Sequence, residues 1–276
     1  MSARFRTVVL TGATSGIGEA TALRLAGLAN TLILLGVESE DDVVGTVQRI
    51  RRAGPARVHY LAADFARLAE VADAARRVRG LAVSIDLLIN DAGVPGDRER
   101  ILTEDGFERT LQVNAIAPAL FTRLLVPSLA VGARVVNVGS SAHRIEHFHF
   151  QDVDLKHDYS PVSAYARAKL AMVTWSSLLA EEDAGMGIHV VALCPGLNDT
   201  PLSAAMTGGI GDPPSNGAAR VLYAASADVP SGSYLEDDHV VAPSSEIVDT
   251  ANRSRLTALF QERLAPFADH PTWTTA

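Results

Sequence analysis

A chain of 276 residues with 47% hydrophobic and 20% charged residues has the makeup of a folded globular protein, and it is long enough to bury a full core in one large domain. Its 24 basic and 32 acidic residues leave a formal net charge of −8, which excludes a general binder of nucleic acid or anionic membrane, because phosphate contacts need clustered Lys and Arg. Cys194 is the only cysteine, so no intrachain disulfide is possible, and no run approaches the ~18 apolar residues of a membrane span.

Met1 to Arg6 holds no long apolar signal core, and a soluble cytoplasmic protein is expected. The first strand is expected over Thr7–Thr11. A glycine-rich turn, Thr11-Gly12-Ala13-Thr14-Ser15-Gly16-Ile17-Gly18, follows it and leads into a helix over Gly18–Ala29. A second strand is expected over Thr31–Gly36. The acidic tract Glu38-Ser39-Glu40-Asp41-Asp42 is expected to open a helix over Glu40–Arg52, where carboxylates suit the positive dipole end. The pattern then predicts strands over Arg57–Ala62, Ser84–Asn90, Arg134–Gly139 and His189–Cys194. Between and after them it predicts helices over Leu68–Arg79, Asp105–Leu129, Ser163–Asp183, Ser215–Ala227 and Ser245–Leu264.

The strands are short, continuous and rich in Val, Ile and Leu, as in a parallel sheet buried on both faces. Alternation with helices predicts right-handed β-α-β units. No repeat or linker interrupts residues 1–276, so a single α/β domain is expected. Arg144–Pro161 and Thr200–Pro214 are polar and rich in Gly and Pro. Ligands sit at the carboxyl ends of strands in such a sheet, and these two segments are expected to border the substrate.

Two features carry chemistry. Strand, glycine turn and helix are the parts of a dinucleotide site: glycines let backbone approach a pyrophosphate, and the helix start offers free N–H groups. The spacing here is G-x-x-x-G-x-G. Tyr165 and Lys169 stand four apart on an expected helix, which places them on one face. An ammonium beside a phenol favours the phenolate and would lower the tyrosine pKa from about 10.

With these motifs the chain resembles the short-chain dehydrogenase/reductases, in the single-domain branch nearest retinol-dehydrogenase-like and carbonyl-reducing members. The similarity runs from about Thr7 to about Pro266. It implies a Rossmann-type doubly wound parallel sheet of about seven strands with helices on both faces. Gly12, Gly16 and Gly18 match the cofactor glycines, with Thr14, Ser15 and Ile17 in the same turn. Asp64, beside Phe65, matches the acid that holds the adenine amino group, although a helix N-cap is an alternative. Asn90-Asp91-Ala92-Gly93 matches the N-N-A-G turn, with Asp91 in place of the second Asn; Asn90, Ala92 and Gly93 carry over to the cofactor. Asn114 matches the tetrad asparagine. In Asn137-Val138-Gly139-Ser140-Ser141, Ser140 takes the catalytic serine position, with Ser141 one step beyond. Tyr165 and Lys169 match the remaining pair and also touch the cofactor. Pro195, Gly196 and Thr200 match the nicotinamide loop, where Asn198 replaces a small apolar residue.

The resemblance implies reversible hydride transfer between NAD or NADP and a carbonyl or alcohol. Tyr165 would act as acid or base, Ser140 would hold the oxygen, Lys169 would lower the Tyr165 pKa, and Asn114 would hold a water. Gly36 and Val37 stand at the positions that select NAD or NADP, so neither determinant is present, and the surrounding acids favour NAD. Phe148, Phe150, Leu197, Leu202 and Met206 are candidates for an apolar pocket wall or for loop-anchoring core. His143, His147, His149 and His157 match no zinc spacing and read as half-exposed loop imidazoles; no metal is expected. Met172 and Trp175 are interface or core, and a homodimer or homotetramer is implied. A non-redox enzyme on the same fold (epimerase, dehydratase or cyclase) is the alternative.

Overall fold

The computed structural model describes residues 4–82, 84–182 and 184–267. Its elements run β1 (Phe5–Thr11), α1 (Gly16–Leu25), β2 (Ala29–Gly36), α2 (Val44–Ala53), β3 (Arg57–Ala62), α3 (Leu68–Leu81), β4 (Ile85–Asn90) and α4 (Arg109–Leu111). A π-helical turn over Gln112–Ile116 leads into α5 (Ala117–Leu125), β5 (Leu129–Val138), α6 (Pro161–Glu182), β6 (His189–Cys194), α7 (Pro201–Thr207) and α8 (Pro214–Ala224). The described chain closes with β7 (Tyr234–Glu236), β8 (His239–Val240), α9 (Ser245–Val248) and α10 (Thr250–Leu264).

The strands form one sheet in the order β3-β2-β1-β4-β5-β6-β7-β8. β1 to β7 are parallel, which meets the expectation of about seven strands in a Rossmann-type doubly wound sheet; β8 adds an antiparallel edge. Strand order reverses between β1 and β4, and the crevice beyond their carboxyl ends is where such sheets bind ligands.

The pleat explains the two cores. Val8, Leu10, Leu32 and Leu34 face one side and pack with Ala22, Leu25, Val47, Ile50 and Val221 of α1, α2 and α8. Their chain neighbours Val9, Ile33 and Leu35 face the other side and pack with Val71, Val78, Phe121, Met172 and Trp175 of α3, α5 and α6. Each Leu or Ile so buried contributes about 1.5–3 kcal/mol.

Several expectations need correction. The acidic tract does not open α2. It lies in the loop before it, where the Ser39 hydroxyl donates to Asp42 at 2.6 Å, and α2 begins at Val44. The single helix expected over Asp105–Leu129 is broken into α4, the π turn and α5, and Leu129 already belongs to β5. Glu108 sets the start by accepting from the Thr110 and Leu111 amides. The helix expected over Ser245–Leu264 is two, because Asp249 is extended and caps α10 through the Asn252 amide at 2.8 Å. Part of the second polar segment is helical: Thr200 and Ser203 form a reciprocal capping box that starts α7. β7 and β8 were too short to leave a hydrophobic pattern. Asp183, the expected end of α6, lies outside the described residues, as do residues 1–3 of the Met1 to Arg6 stretch.

The hairpin between β7 and β8 turns on Asp237 and Asp238, with φ 49° and 62°. Both residues are left-handed, the geometry of a two-residue type I′ turn.

Candidate active site

A cavity of about 670 Å³ lies over the switch point, lined from the glycine turn through the ends of β2, β4, β5 and β6 to α7. Its floor is backbone. Gly12 has φ 69°, and an added Cβ there would stand 2.8 Å from the Ala92 backbone. A Cβ at Gly18 would fall 2.0 Å from the Gly12 carbonyl oxygen. Only glycine lets the turn close this tightly. Ser15 is extended and makes no side-chain cap to α1, so the first N–H groups of the helix remain available for a pyrophosphate. The Thr11 hydroxyl accepts from the Asp91 and Ala92 amides at 3.1 and 3.0 Å, tying the glycine turn to the turn after β4. This cradle fits a dinucleotide.

At one end, Asp64 and Phe65 line the cavity. Asp64 is not a helix cap, since α3 begins at Leu68; its carboxylate accepts from the Ala66 amide at 2.8 Å and holds the turn. The sequence pattern missed Glu38 here. Gly36 leaves a gap into which Glu38 folds back: a Cβ at Gly36 would meet Glu38 Oε2 at 3.0 Å, the Tyr60 hydroxyl at 2.8 Å and the Thr14 methyl at 2.5 Å. The Tyr60 hydroxyl donates to the Glu38 carbonyl at 2.7 Å, while Glu38 Oε2 is buried with no hydrogen-bond partner. Burial and the neighbouring carboxylate of Glu38 raise the Tyr60 pKa well above its ordinary value. Among the described lining residues the only cations are Arg109 and Lys169, and neither belongs to this end of β2.

At the other end, Ser140 and Tyr165 meet. Both side chains line the cavity, Ser140 acting on Tyr165 as a polar neighbour that lowers its pKa, and Ser140 Oγ accepts from the Ala142 amide at 3.2 Å. Ser141 is exposed, its amide donating to Cys194 Sγ at 3.3 Å, so Ser140 is the serine in register. Cys194 is a free, buried cysteine at the end of β6, where it lines the cavity. Gly139 is required because a Cβ there would lie 2.9 Å from Val173 Cγ2 and 3.1 Å from the Leu193 carbonyl. Lys169 is buried one helical turn on, with Nζ 5.6 Å from the centre of the Tyr165 ring and donating to the Val138 carbonyl at 2.8 Å.

The charges differ from expectation. Burial pushes the Tyr165 pKa up to about 12, against the lowering pull of the Ser140 hydrogen bond. Burial brings Lys169 itself down to about 8, with Asp91 raising it, and pushes Asp91 up to about 7, with Lys169 lowering it. Asp91 thus helps keep Lys169 protonated. Asp91→Asn is expected to lower the Lys169 pKa further, so that dinucleotide affinity begins to fall at a lower pH than in the wild type. Fluorescence titrations of NADH from about pH 6 to about pH 9, the range that brackets both groups, would read this; coincident profiles would remove Asp91 from the pair.

Most expected site residues converge on this cavity: Gly12, Thr14, Ser15, Gly16, Ile17, Asp64, Phe65, Ala92, Gly93, Ser140, Tyr165, Lys169, Pro195, Gly196 and Thr200 all line it. Three do not. Gly18 sits beneath the turn. Asn90 lies in the sheet, donating to the Thr122 hydroxyl at 2.9 Å and to Asn137 Oδ1 at 2.8 Å, so it clamps β4 to β5 and α5 and is not part of the cavity lining. Asn114 is fully buried in the π turn, a helical irregularity common at functional sites. Its amide clasps the Val94 backbone, donating at 2.9 Å and accepting at 2.8 Å. Its Oδ1 lies 3.2 Å from where a Gly93 Cβ would be, and Lys169 Nζ 3.7 Å.

The loop from Pro195 to Thr200 is pinned from behind. Asn198 Nδ2 donates to the Pro195 and Gly196 carbonyls at 2.9 and 3.0 Å, and its Oδ1 accepts from the Gly217 amide at 2.9 Å. Arg220 donates to the Pro195 carbonyl at 3.0 Å and pairs with Asp237 at 2.6 Å. Beyond this loop the cavity wall is apolar, with Ile145, Val162, Leu197, Leu202 and Met206. Phe148 and Phe150 are not part of it. They stack on each other at 5.0 Å and pack against the core. Of the segment 144–161 only Ile145 reaches the cavity; the rest is anchored elsewhere, as where Arg263 pairs with Asp154 at 2.6 Å. No group of side chains able to hold a metal occurs among the described residues.

The family model for short chain dehydrogenase matches residues 6–209. Polyprenol dehydrogenase of Mus musculus is 35% identical over 277 residues, covering 92% of this chain and 82% of that protein. Retinol dehydrogenase 13 of Mus musculus is 35% identical over 201 residues, 71% of this chain, which spans 60% of that protein's length. A solved structure of an uncharacterized protein from Mycobacterium Paratuberculosis is 30% identical with a TM-score of 0.79, covering 94% of this chain and 93% of that one.

Proposed function

The chain belongs to the short-chain dehydrogenase/reductase family and is an NAD(P)-dependent oxidoreductase, and we propose that it interconverts a hydrophobic carbonyl compound and its alcohol with NAD as preferred cofactor. The bound dinucleotide supplies or accepts the hydride. Residues 1–276 act as one domain. Tyr165 gives its phenolic proton to the carbonyl oxygen during reduction and takes the alcohol proton during oxidation. Ser140 donates a hydrogen bond to the same oxygen and stabilises its developing charge. Lys169 holds the nicotinamide ribose. Asn114 orders the backbone at Val94 beside Gly93, and by the family likeness a water next to Lys169.

One observation carries this reading: Ser140, Tyr165 and Lys169 line one cavity together with the glycine turn and the aliphatic side chains of Ile145, Val162, Leu197 and Leu202. Two relatives are named for polyprenol and retinol, both apolar alcohols, which supports a hydrophobic substrate and does not favour non-redox use of the fold. The test follows absorbance of NADH with decanal, benzaldehyde and cyclohexanone. Consumption of NADH with the apolar aldehyde is the expected result; chemistry on a carbonyl without net consumption would overturn the proposal.

The cofactor preference rests on Glu38. Its unpartnered carboxylate oxygen at the end of β2 is an acceptor for the adenosine 2′-hydroxyl and a repulsive neighbour for a 2′-phosphate. A hydrogen bond to a charged group contributes about 1.5–3 kcal/mol, so Glu38→Ser is expected to weaken NADH roughly ten-fold or more while NADPH is unaffected or gains. Binding isotherms for both dinucleotides check this, and a wild type that binds NADPH ten-fold tighter than NADH would reverse the assignment.

A cytoplasmic location is supported by the acidic surface and the single buried cysteine, and no helix among the described residues is long and apolar enough to cross a membrane. A homodimer or homotetramer would have to use a surface other than the α6 face, because Met172 and Trp175 are core residues, each 1% exposed, and α9 and α10 pack over α6. Sedimentation velocity reads the state directly.

A further inference from the structure

His143 is fully buried three residues after Ser140, and the mechanism above gives it no part. Its Nδ1 lies 2.6 Å from the Ser140 carbonyl oxygen. Its Nε2 accepts from the Ser244 amide at 3.1 Å. An N–H donor at Ser244 leaves Nε2 unprotonated, so the proton is on Nδ1 and is donated to Ser140. The partners thus fix the tautomer. Burial lowers its pKa, against the raising pull of the Ser140 carbonyl, with the Arg144 charge acting the same way as burial. The edge of Tyr234 holds the ring plane, at 4.8 Å between centroids and 73°.

The imidazole therefore bridges two segments that nothing in the sequence pattern connects. One is the peptide that carries the catalytic serine; the other is the stretch entering α9. Arg144 doubles the link, donating to the Ala242 carbonyl at 3.0 Å and pairing with Glu236 at 2.9 Å. The Ser140 hydroxyl has one useful direction, toward the oxygen shared with Tyr165, and its peptide is held by the imidazole from behind. We propose that His143 is a positioning residue for Ser140, its neutral Nδ1–H form fixing the serine peptide against the segment at Ser244 and so aiming the hydroxyl at the substrate oxygen. This rests on the role assigned to Ser140 above.

The test combines three substitutions at His143 with a double-mutant cycle, using NADH and whichever of decanal, benzaldehyde and cyclohexanone is reduced fastest. His143→Phe fills the space and loses both hydrogen bonds; misplacement of a reacting group by an ångström can cost on the order of 10²-fold, and kcat is expected to fall roughly 10- to 100-fold with NADH Kd unchanged. His143→Asn keeps a donor near Nδ1 and should recover most of the loss. His143→Gln reaches toward Ser244 instead and should not. In a Ser140→Ala background, His143→Phe should cause no further loss, because residues acting through one group are not additive. Multiplicative losses in the double variant, a parallel loss of NADH affinity, or equal activity of the Asn and Gln variants would each overturn the inference. If His143→Phe does not fold, the Asn and Gln variants carry the same comparison. Ser140→Ala turning over like the wild type would instead remove the serine from the mechanism, and the inference with it.

Discussion

Tyr165→Phe is expected to lower turnover by roughly 10²–10⁴-fold, the usual contribution of general acid–base catalysis, with dinucleotide affinity retained. The ring packs as before and only the oxygen is lost, while the glycine turn is untouched. Steady-state rates and NADH fluorescence titrations on the same preparation separate the two effects. A Phe variant as active as the wild type would take Tyr165 out of the reaction. The pH dependence follows from the tyrosine's environment. Burial holds its pKa near about 12, so across neutral pH the group is a phenol, ready to give a proton. Carbonyl reduction should therefore be nearly flat in pH until the alkaline range. Alcohol oxidation needs the phenolate and should climb with pH toward that value. An oxidation rate independent of pH would contradict this ionisation.

Lys169→Met should damage both turnover and binding. The ammonium lies close to Gly93, 5.6 Å from the centre of the tyrosine ring, and donates to the Val138 carbonyl; in the proposed role it also holds the nicotinamide ribose. Losing a hydrogen bond from a charged group costs about 1.5–3 kcal/mol, so dinucleotide Kd is expected to rise by roughly 10- to 100-fold, with kcat falling besides. Calorimetric titration with NADH measures the first and single-turnover rates the second. Unchanged values for both would end its dual role. The comparison with Asp91→Asn is informative, because that variant leaves the amine in place and alters only the pH at which it carries charge.

Much of this site was legible in the residues because its motifs are local. The glycine turn, the Tyr165–Lys169 pair and Pro195-Gly196 each lie within a few positions on one element, and their spacing is imposed by backbone geometry. What was not legible depends on contacts across the chain. Glu38 entered the adenosine end only because Gly36 leaves a gap beneath it and Tyr60, from the neighbouring strand, holds the loop. His143 read as one of several half-exposed imidazoles; its burial is decided by Ser244, a hundred positions away. The lysine was expected to depress the tyrosine pKa on grounds of proximity, whereas desolvation acts on both groups and dominates. Asn90 was assigned to the cofactor by motif, yet its amide is used between strands. Helix boundaries failed where a side chain outweighed periodicity, as at Asp249 and in the π turn that reorients Asn114.

The hairpin at the far edge of the sheet has a bearing on the chemistry. Two successive aspartates hold backbone angles that glycine or asparagine would adopt more easily. One of the two, Asp237, grips Arg220, whose other nitrogen grips the Pro195 carbonyl. The edge hairpin is thus the outer anchor of a guy line running to the loop at Pro195, and, in the proposed function, substitutions there should register as altered cofactor seating before they register as lost folding.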